Sequence, residues 1–441
     1  MRRNWKKVIA GVLLATTMTA ALSACGTTSN NGGTTAGQSA GGSSGGVTGA
    51  TIKVFLSEEP GADDINMKMM NAWAAETGNA IETIIISHAD QATKFPSMAK
   101  NKDLPDLIWT TGIHQKYPEE FVDMSTVMDM DIFEDTVLKI LGKSYTSDKI
   151  VGLPVQFTVT NMYYNKDAFA AAGLTAPTIE SAWTWDELYE NAAKLQESGA
   201  VKYGFASDVS RARYDILMYA NGGSLVEADG DTFKITVNSE ANIKTLEKFV
   251  EANEKVMPKA IWAGGTTDNP VDYFKNGDAG ILLSGSWNYN SMLEEITNFD
   301  FGIMPTPKGE VSQASIIGGT ALAVPENAKN KEAALDFCKW LYEEEHFKTY
   351  LQGDKGLSAR KGVVYEPENE KSVEDLAIIQ SEVAYVSDLF MVDESSGWRV
   401  YKNDEYRDTI KRAVSGELTA KEALDTFAKE FSESSGWAIA E

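Results

Sequence analysis

Aromatic and polar side chains near the ends of predicted strands are the residues of this chain that could do chemistry. The sequence has 10 tryptophans and 16 tyrosines among 441 residues. A pyranose ring has an apolar C–H face and a rim of hydroxyls, so a sugar site needs a flat aromatic surface with carboxylates or amides beside it. Trp287 follows Gly285 and Ser286 just after the buried run 279–283. This position predicts a stacking surface, and the alternative is a tryptophan in a hydrophobic core.

Composition argues against several other kinds of site. The formal net charge of -24 argues against nucleic acid and anionic lipid surfaces as partners, because both would repel the protein. The three histidines, His88, His114 and His346, are far apart in sequence and show no metal-ligand spacing. The two cysteines, Cys25 and Cys338, give no disulfide framework. We therefore expect no metal and no other cofactor.

The alternation of strand and helix patterns predicts an α/β fold. The predicted strands and extended runs are 51–56, 81–87, 104–109, 150–165, 203–205, 233–237, 279–283, 301–308 and 315–324. The predicted helices are 65–77, 90–100, 168–173, 185–195, 211–220, 241–255, 331–350, 373–390, 403–415 and 419–431. Parallel sheets bind ligands at the carboxyl ends of their strands. Glu58, Glu59, Trp109 and His114 lie just past such ends and are candidate site residues.

Several short segments resemble one protein family. The stretch 150–174 contains GLP at 152–154 and YYNKDAF at 163–169, and TWDEL follows at 184–188. Further similar segments are 285–287, 305–309, 318–324 and 332–341. In this order they resemble the bacterial extracellular solute-binding proteins that feed ABC importers. The resemblance is to the carbohydrate-binding group that includes maltose-binding protein.

The resemblance implies a two-lobe fold, in which each lobe is a central β-sheet flanked by helices and the lobes are joined by a multi-strand hinge. The stretch that begins at 150 would be the first strand to cross between the lobes. The first lobe would contain 51–157 and 315–362, and the second lobe would contain 158–314 and 363–441. We expect the protein to be a monomer.

The resemblance also implies ligand contacts in the first half of the chain. Glu58 and Glu59 correspond, by their distance from the first strand, to polar contacts of the family, and the alternative is a pair of solvated loop acids. Trp109, Gln156 and Thr158 follow the third strand or line the crossing strand, where a ligand would be held.

Further contacts are implied in the second half. Arg211, Arg213 and Tyr214 lie where the family presents an aromatic contact, although one arginine could instead lie on a solvated helix face. The other implied contacts are Gly318, Gly319 and Thr320, whose backbone amides would approach the ligand, and Trp398 and Arg399, a late aromatic contact. The two glycines could instead only permit a turn. Tyr401 could replace Trp398, because the spacing to Gly416 differs from the family pattern.

The first 50 residues predict secretion and anchoring. Residues 1–7 are basic, 8–22 are apolar or small, and Cys25 follows at once in LSAC. This order predicts a signal peptide over 1–24, and LSAC resembles a bacterial lipobox in which Cys25 becomes diacylated. The alternative is an ordinary signal peptide that is cut elsewhere. Residues 25–50 are rich in Gly, Ser, Thr and Asn, which predicts a flexible linker.

The sequence therefore leaves two hypotheses about function. The favoured hypothesis is a lipid-anchored receptor at the extracellular face of the cell membrane, on the cell surface or in the periplasm. It would capture a sugar or oligosaccharide by hinge closure and deliver it to ABC transporter permease subunits. The alternative is a secreted glycoside hydrolase or lyase that uses a carboxylate pair. Outside the Gly- and Ser-rich run 25–50, no nucleophile motif such as GxSxG occurs in the sequence, so we expect no enzyme activity.

Overall fold

A computed structural model describes residues 47–61, 64–230 and 232–440. The predicted signal peptide, Cys25 and nearly all of the linker lie outside these residues. The strands are β1 (Thr51–Leu56), β2 (Ala80–Ile85), β3 (Leu107–Thr110), β4 (Leu153–Asn165), β5 (Tyr203–Ser207), β6 (Val226–Asp229), β7 (Thr232–Ile235), β8 (Ala279–Gly285), β9 (Phe301–Met304), β10 (Ile317–Ala323), β11 (Leu357–Ser358) and β12 (Ala438–Ile439).

Helices connect most of these strands. They are α1 (Ile65–Thr77), α2 (His88–Lys100), α3 (Ile113–Lys116), α4 (Asp135–Val137), α5 (Lys166–Ala171), α6 (Trp185–Glu197), α7 (Arg211–Ala220), α8 (Glu240–Lys255), α9 (Lys259–Trp262), α10 (Pro270–Lys275), α11 (Tyr289–Glu295), α12 (Lys331–Leu341), α13 (Glu344–Asp354), α14 (Glu370–Ser381), α15 (Asp388–Ser395), α16 (Arg399–Ser415) and α17 (Ala420–Ser435). No helix of the described residues is both long and apolar enough to cross a membrane.

Local sequence signals account for several helix ends. Helix α1 ends at Gly78, which adopts the left-handed conformation with φ 72° that glycine tolerates best. Helix α6 begins at a capping box, in which the Glu187 amide donates to Thr184 Oγ1 and the Thr184 amide donates to Glu187 Oε2. Both ends agree with the sequence prediction, because they depend only on neighbouring residues.

The long strand β4 organises the main sheet. The strand order is β2-β1-β3-β10-β4-β8-β5, and β9 and β11 also pair with β4. Residues 153–159 of β4 pair with β10, and residues 160–164 pair with β8. The change of partner falls between Val159 and Thr160, so each half of the strand belongs to a different α/β lobe. The predicted two-lobe α/β fold is confirmed.

Each lobe has an aromatic core beside its part of the sheet. In the first lobe, Trp73 packs edge-on against Phe337 with the ring centroids 5.5 Å apart. In the second lobe, Phe249 packs between Tyr214 and Trp262. Cys338 is fully buried beside the first of these cores, and burial raises the pKa of its thiol to about 12. It acts as a small hydrophobic residue.

Two helices that the sequence predicts as continuous are broken. The predicted helix 331–350 is α12 and α13, separated at Tyr342, whose hydroxyl donates to the carbonyls of Leu153 and Pro154 on β4. The predicted helix 373–390 is α14 and α15, separated at Glu382, whose carboxylate accepts hydrogen bonds from the Thr306 amide and hydroxyl. In both cases a tertiary hydrogen bond fixes the residue at the break, and such a bond leaves no trace in helical periodicity.

The buried Glu382 carboxyl makes stability depend on pH. Its side chain is 1% exposed, and burial raises its pKa to about 7, against the lowering effect of the bonds from Thr306. Because this pKa lies above the unfolded value of about 4.3, the folded protein holds the proton more tightly. The resulting stabilisation is present in acid and is lost as the pH rises to about 7. We expect Glu382→Gln to flatten the fall of the melting temperature between pH 5 and pH 8.

The matched control is Asp186→Asn, which changes an exposed carboxylate that pairs with Lys248. Thermal unfolding of this variant should follow the wild-type pH dependence. An unchanged pH dependence in Glu382→Gln would contradict the prediction.

Candidate ligand-binding site

The point where β4 passes between the lobes is surrounded by polar groups. The Val159 amide donates to Ser286 Oγ at 3.2 Å, and the Tyr163 hydroxyl donates to the Gly285 carbonyl at 3.0 Å. Thr160 faces Gly285 at the end of β8. The end of β8 is therefore bound to the middle of β4, and the residue after Ser286 is held at the junction of the lobes.

Trp287 is that residue, and its ring lies at the surface. It is 44% exposed, which excludes the alternative of a core position. The Arg213 guanidinium lies over the ring, 4.9 Å from the centroid. A Cβ atom added to Gly285 would lie 1.7 Å from a ring carbon of Trp287, so the ring folds back over a glycine that cannot carry a side chain. The indole is held in one orientation with part of its surface open to solvent.

Arg213 holds the ring of Trp287 in position. Its side chain is buried and donates to the Ser284 carbonyl at 2.5 Å and to Thr160 Oγ1 at 3.4 Å. Burial lowers the pKa of this guanidinium, and the charges of Asp208 and Asp215 oppose that change. An arginine side chain stays protonated in proteins, so a fixed cation lies against the indole and stabilises its position through a cation–π interaction.

Asp208 is a candidate site residue that the sequence interpretation missed. It follows the carboxyl end of β5, and its Oδ2 accepts a hydrogen bond from Ser284 Oγ at 2.5 Å. Ser284 Oγ in turn accepts a hydrogen bond at 2.8 Å from the side-chain Nδ2 of Asn288, the residue after Trp287. Burial raises the pKa of Asp208, and the Arg213 charge opposes that rise. Its position as the first acid after a strand could have identified Asp208 from the sequence. It was not recognised, because the strand had been predicted to end at Phe205.

The first lobe contributes backbone and amide groups. The Gln156 side-chain Nε2 donates to Asp354 Oδ1 at 2.5 Å, and Trp109 Nε1 donates to Thr320 Oγ1 at 3.3 Å. Gly319 has φ 146°, and a Cβ added there would lie 2.2 Å from the Gln156 carbonyl oxygen. Gly319 is thus needed for the irregular pairing of β10 with β4, which shifts register after Thr320.

Several residues that were expected to contact the ligand have buried side chains. These are Trp109, His114, Thr158, Tyr214 and Trp398. His114 Nε2 is bound to the Leu141 carbonyl oxygen at 2.8 Å, and burial lowers its pKa to about 4, so it is neutral at pH 7. Tyr214 packs against Phe249 in the second core.

Trp398 has its ring covered by Arg211, 4.9 Å from the centroid, and by Tyr406. In this structure the side chains of His114, Tyr214 and Trp398 have no surface to offer a ligand, in contrast to the expectation from the sequence.

Arg211 and Arg213 are buried as well, and the remaining expected contacts are at least partly exposed. Glu58 and Glu59 are exposed beyond the end of β1, where Ser57 Oγ lies 2.8 Å from Thr110 Oγ1 at the end of β3. Gly318, Gly319, Thr320, Gln156 and Arg399 are partly exposed. Tyr401, the alternative to Trp398, is 38% exposed and packs against Phe431 and Trp437.

A polar cavity of about 360 Å³ lies between two segments that belong to different lobes. Lys143, Tyr145 and Ser147 line one side, and Met391 and Glu394 line the other. Its volume is at the lower end of the range for small-molecule sites, about 300 to 1,000 Å³. Among the described residues, no cluster of His, Cys, Asp and Glu side chains could hold a metal ion.

Two α/β lobes that share one strand, with an exposed aromatic ring and polar groups where the strand crosses, define a two-lobe ligand-binding protein. A family model described as bacterial extracellular solute-binding protein matches residues 57–346. The chain belongs to this family.

Relatives and solved structures agree with this assignment. A putative binding protein of Brucella abortus is 26% identical over 226 residues, which are 50% of this chain and 53% of that protein. The chain thus spans about half the length of this relative. The arabinooligosaccharide-binding protein of Bacillus subtilis is 22% identical over 355 residues, 77% of each chain.

Among solved structures, an ABC substrate-binding protein from Listeria monocytogenes in complex with cycloalternan superposes with a TM-score of 0.73 at 20% identity, over 88% of this chain and 99% of that one. Maltose-bound MalE3 from T. maritima has a TM-score of 0.73 at 18% identity, over 87% and 100%. At these identities the two structures show the shared fold.

The adjacent glycines Gly318 and Gly319 on β10 allow a test of whether the pairing of β10 with β4 requires a glycine. We expect Gly319→Ala to lower the free energy of unfolding by about 2 kcal/mol or more, because a side chain meets the Gln156 carbonyl and a positive φ is strained. Gly318→Ala is the control, since its nearest neighbour is the rotatable Thr158 Oγ1 at 3.2 Å. Urea unfolding measures both. Equal losses for the two variants would show that Gly319 is not required by the β10–β4 pairing.

Proposed function

We propose that the protein captures a sugar or oligosaccharide between its two lobes and delivers it to the permease subunits of an ABC importer. The observation that carries this proposal is the exposed Trp287 ring, fixed by Arg213 beside the Asp208 carboxyl at the junction of the lobes. A flat aromatic surface with an adjacent carboxylate matches the apolar face and hydroxyl rim of a pyranose.

The names of relatives support a carbohydrate ligand. One relative is an arabinooligosaccharide-binding protein, and two proteins of the same fold were solved with cycloalternan and with maltose. Other relatives are named for sn-glycerol-3-phosphate, so a ligand screen should include this polyol phosphate as well as sugars.

The ligand contacts that we propose come from both lobes. Trp287 and Asp208 lie on the second lobe, and Gln156, Gly319 and Thr320 lie on the first. We propose that the exposed Glu58 and Glu59 contact a ligand that extends along the edge of the first lobe, and that Arg213 holds Trp287 in position. Closure would exclude water from these contacts and strengthen their hydrogen bonds.

The change of partner on β4 suggests how the lobes divide. We propose 51–157 with 315–362 as the first lobe and 158–314 with 363–441 as the second. The pairing of β4 switches two residues after the first of these boundaries. Hinge closure about this strand is the motion that we expect to capture the ligand.

A thermal-shift screen over mono- and oligosaccharides, including maltose and arabino-oligosaccharides, tests the function. A ligand at 100 times its dissociation constant should stabilise the protein by about 2.7 kcal/mol. Analysis of the same mixtures for new reducing ends tests the alternative of a carbohydrate-active enzyme. A binding protein gives a shift and no product, and new reducing ends would favour the enzyme.

For the sugar that the screen identifies, we expect Trp287→Ala to weaken binding at least about 30-fold, because truncating a buried aromatic contact costs about 2 kcal/mol or more. Isothermal titration calorimetry measures the change. Trp340→Ala is the control: this tryptophan is partly buried, donates to Glu76 and stacks on His346, away from the junction of the lobes. Normal sugar affinity in Trp287→Ala would remove Trp287 from the site.

We also propose that a lipid on Cys25 anchors the protein to the extracellular face of the membrane, and that residues 25–50 form the tether. The support is the LSAC sequence directly after the apolar run 8–22. Cys25→Ser should move the protein from the membrane fraction to the soluble fraction, or leave the signal peptide uncut, as seen by fractionation and intact mass. Cys338→Ser changes the other cysteine and is the control. Membrane retention of a correctly processed Cys25→Ser protein would exclude the lipid anchor.

A further inference from the structure

Three polar side chains of the second lobe form a hydrogen-bond chain beside Trp287. Asp208 lies next to Ser284, because β5 and β8 are parallel neighbours and the Asp208 amide donates to the Leu283 carbonyl at 3.1 Å. The Ser284 hydroxyl donates to Asp208 Oδ2 at 2.5 Å and accepts from Asn288 Nδ2 at 2.8 Å. Asn288 directly follows Trp287, so the chain connects the end of β5 to the segment that carries the exposed indole.

The ionised Asp208 determines the direction of each hydrogen bond in this chain. A carboxylate has no proton to donate, so the single hydroxyl proton of Ser284 points to Asp208. The Ser284 oxygen then accepts from Asn288, which turns the side-chain nitrogen of Asn288 toward Ser284 and leaves its Oδ1 at the other end of the amide. Neither Asp208 Oδ1 nor Asn288 Oδ1 has a hydrogen-bond partner among the described residues, and both residues are partly exposed. Both oxygens are therefore free to accept hydrogen bonds from a ligand.

Arg213 is the cation that accompanies Asp208. Its Nη1 donates to the Ser284 carbonyl at 2.5 Å, so the guanidinium and the carboxylate bind different groups of one residue. Its charge opposes the rise in the pKa of Asp208 that burial causes, which favours the ionised form of this carboxyl. The Arg213 side chain is buried, whereas Asp208 is partly exposed. At this point the lobe surface therefore presents the negative charge of the pair.

We propose that Asp208 Oδ1 and Asn288 Oδ1 form an acceptor pair beside Trp287, which makes Asn288 a further ligand-binding residue and selects neutral, hydroxyl-bearing solutes over sugar acids and polyol phosphates. The inference rests on the proposed function, because it assigns the class of solute to the same site. A hydroxyl group donates its proton to such an oxygen. An ionised carboxylate or phosphate brings acceptor oxygens and a negative charge, which Asp208 repels.

Neutral and anionic probes, compared in the same thermal-shift screen, test the class of solute. The neutral probes are the mono- and oligosaccharides named above, and the anionic probes are glucuronate, trigalacturonate and sn-glycerol-3-phosphate. We expect a shift with at least one neutral probe and, at equal concentration, none with an anionic probe. A larger shift with an anionic sugar would overturn the acceptor pair and leave sugar capture supported. The absence of a shift with any sugar would overturn the proposed function, and the acceptor pair with it.

Asp208→Asn keeps the shape of the side chain and removes its charge. Isothermal titration calorimetry compares the neutral probe that gives the largest shift with its uronate, in which one CH₂OH group is oxidised to a carboxylate. We expect the preference for the neutral sugar to fall at least about tenfold, because repulsion of the uronate is lost. Asp186→Asn removes the same charge from an exposed residue of the same lobe and should keep the wild-type preference. An unchanged preference in Asp208→Asn, or a uronate that still does not bind, would overturn the selection by Asp208.

Asn288→Ala tests the new contact. Loss of one hydrogen bond to the solute should weaken binding of the same neutral probe about fivefold. The control is Asn191→Ala, which changes a partly exposed asparagine on α6 that accepts from Lys194, and it should keep the wild-type affinity. The melting temperature without ligand shows whether each variant is folded. Wild-type affinity in folded Asn288→Ala would remove Asn288 from the site, and Asp208→Asn decides the question if Asn288→Ala fails to fold.

Discussion

The two-lobe structure depends on one strand that hydrogen-bonds in two sheets. Residues 153–159 of β4 complete the sheet of the first lobe, and residues 160–164 complete that of the second. Both ladders would be lost if the strand shifted by one residue, because its side chains would exchange faces. The position of Trp287 follows from this arrangement, because the end of β8 pairs with residues 160–164 of β4.

Two arginines in the first turn of α7 each lie against an aromatic ring of the second lobe. The Arg213 guanidinium lies over the exposed Trp287 ring, and the Arg211 guanidinium lies over the buried Trp398 ring. Residues two apart on a helix point to different sides, so the two cations act in separate places. Arg213 holds the exposed indole at the junction of the lobes, and Arg211 pairs with Asp215 and Glu394 in the interior of the second lobe.

The sequence predicts those features of the fold that neighbouring residues determine. The capped ends of α1 and α6 depend on Gly78, Thr184 and Glu187 alone, and the alternating pattern is sufficient for the α/β class. It does not predict the breaks at Tyr342 and Glu382, because their hydrogen-bond partners are distant in sequence. For the site, the sequence identifies the position of Trp287 but not its exposure. It also does not distinguish His114 or Tyr214 from surface residues, since their burial is set by packing.

The hydroxyl of Ser286 has a mechanical consequence for the junction of the lobes. It accepts the Val159 amide proton at the residue where β4 changes sheets. A backbone carbonyl in a ladder has a fixed direction, whereas a serine hydroxyl can follow its donor by rotating about one side-chain bond. The amide can thus keep its partner over a range of strand angles, and bending at Val159 need not expose an unsatisfied donor.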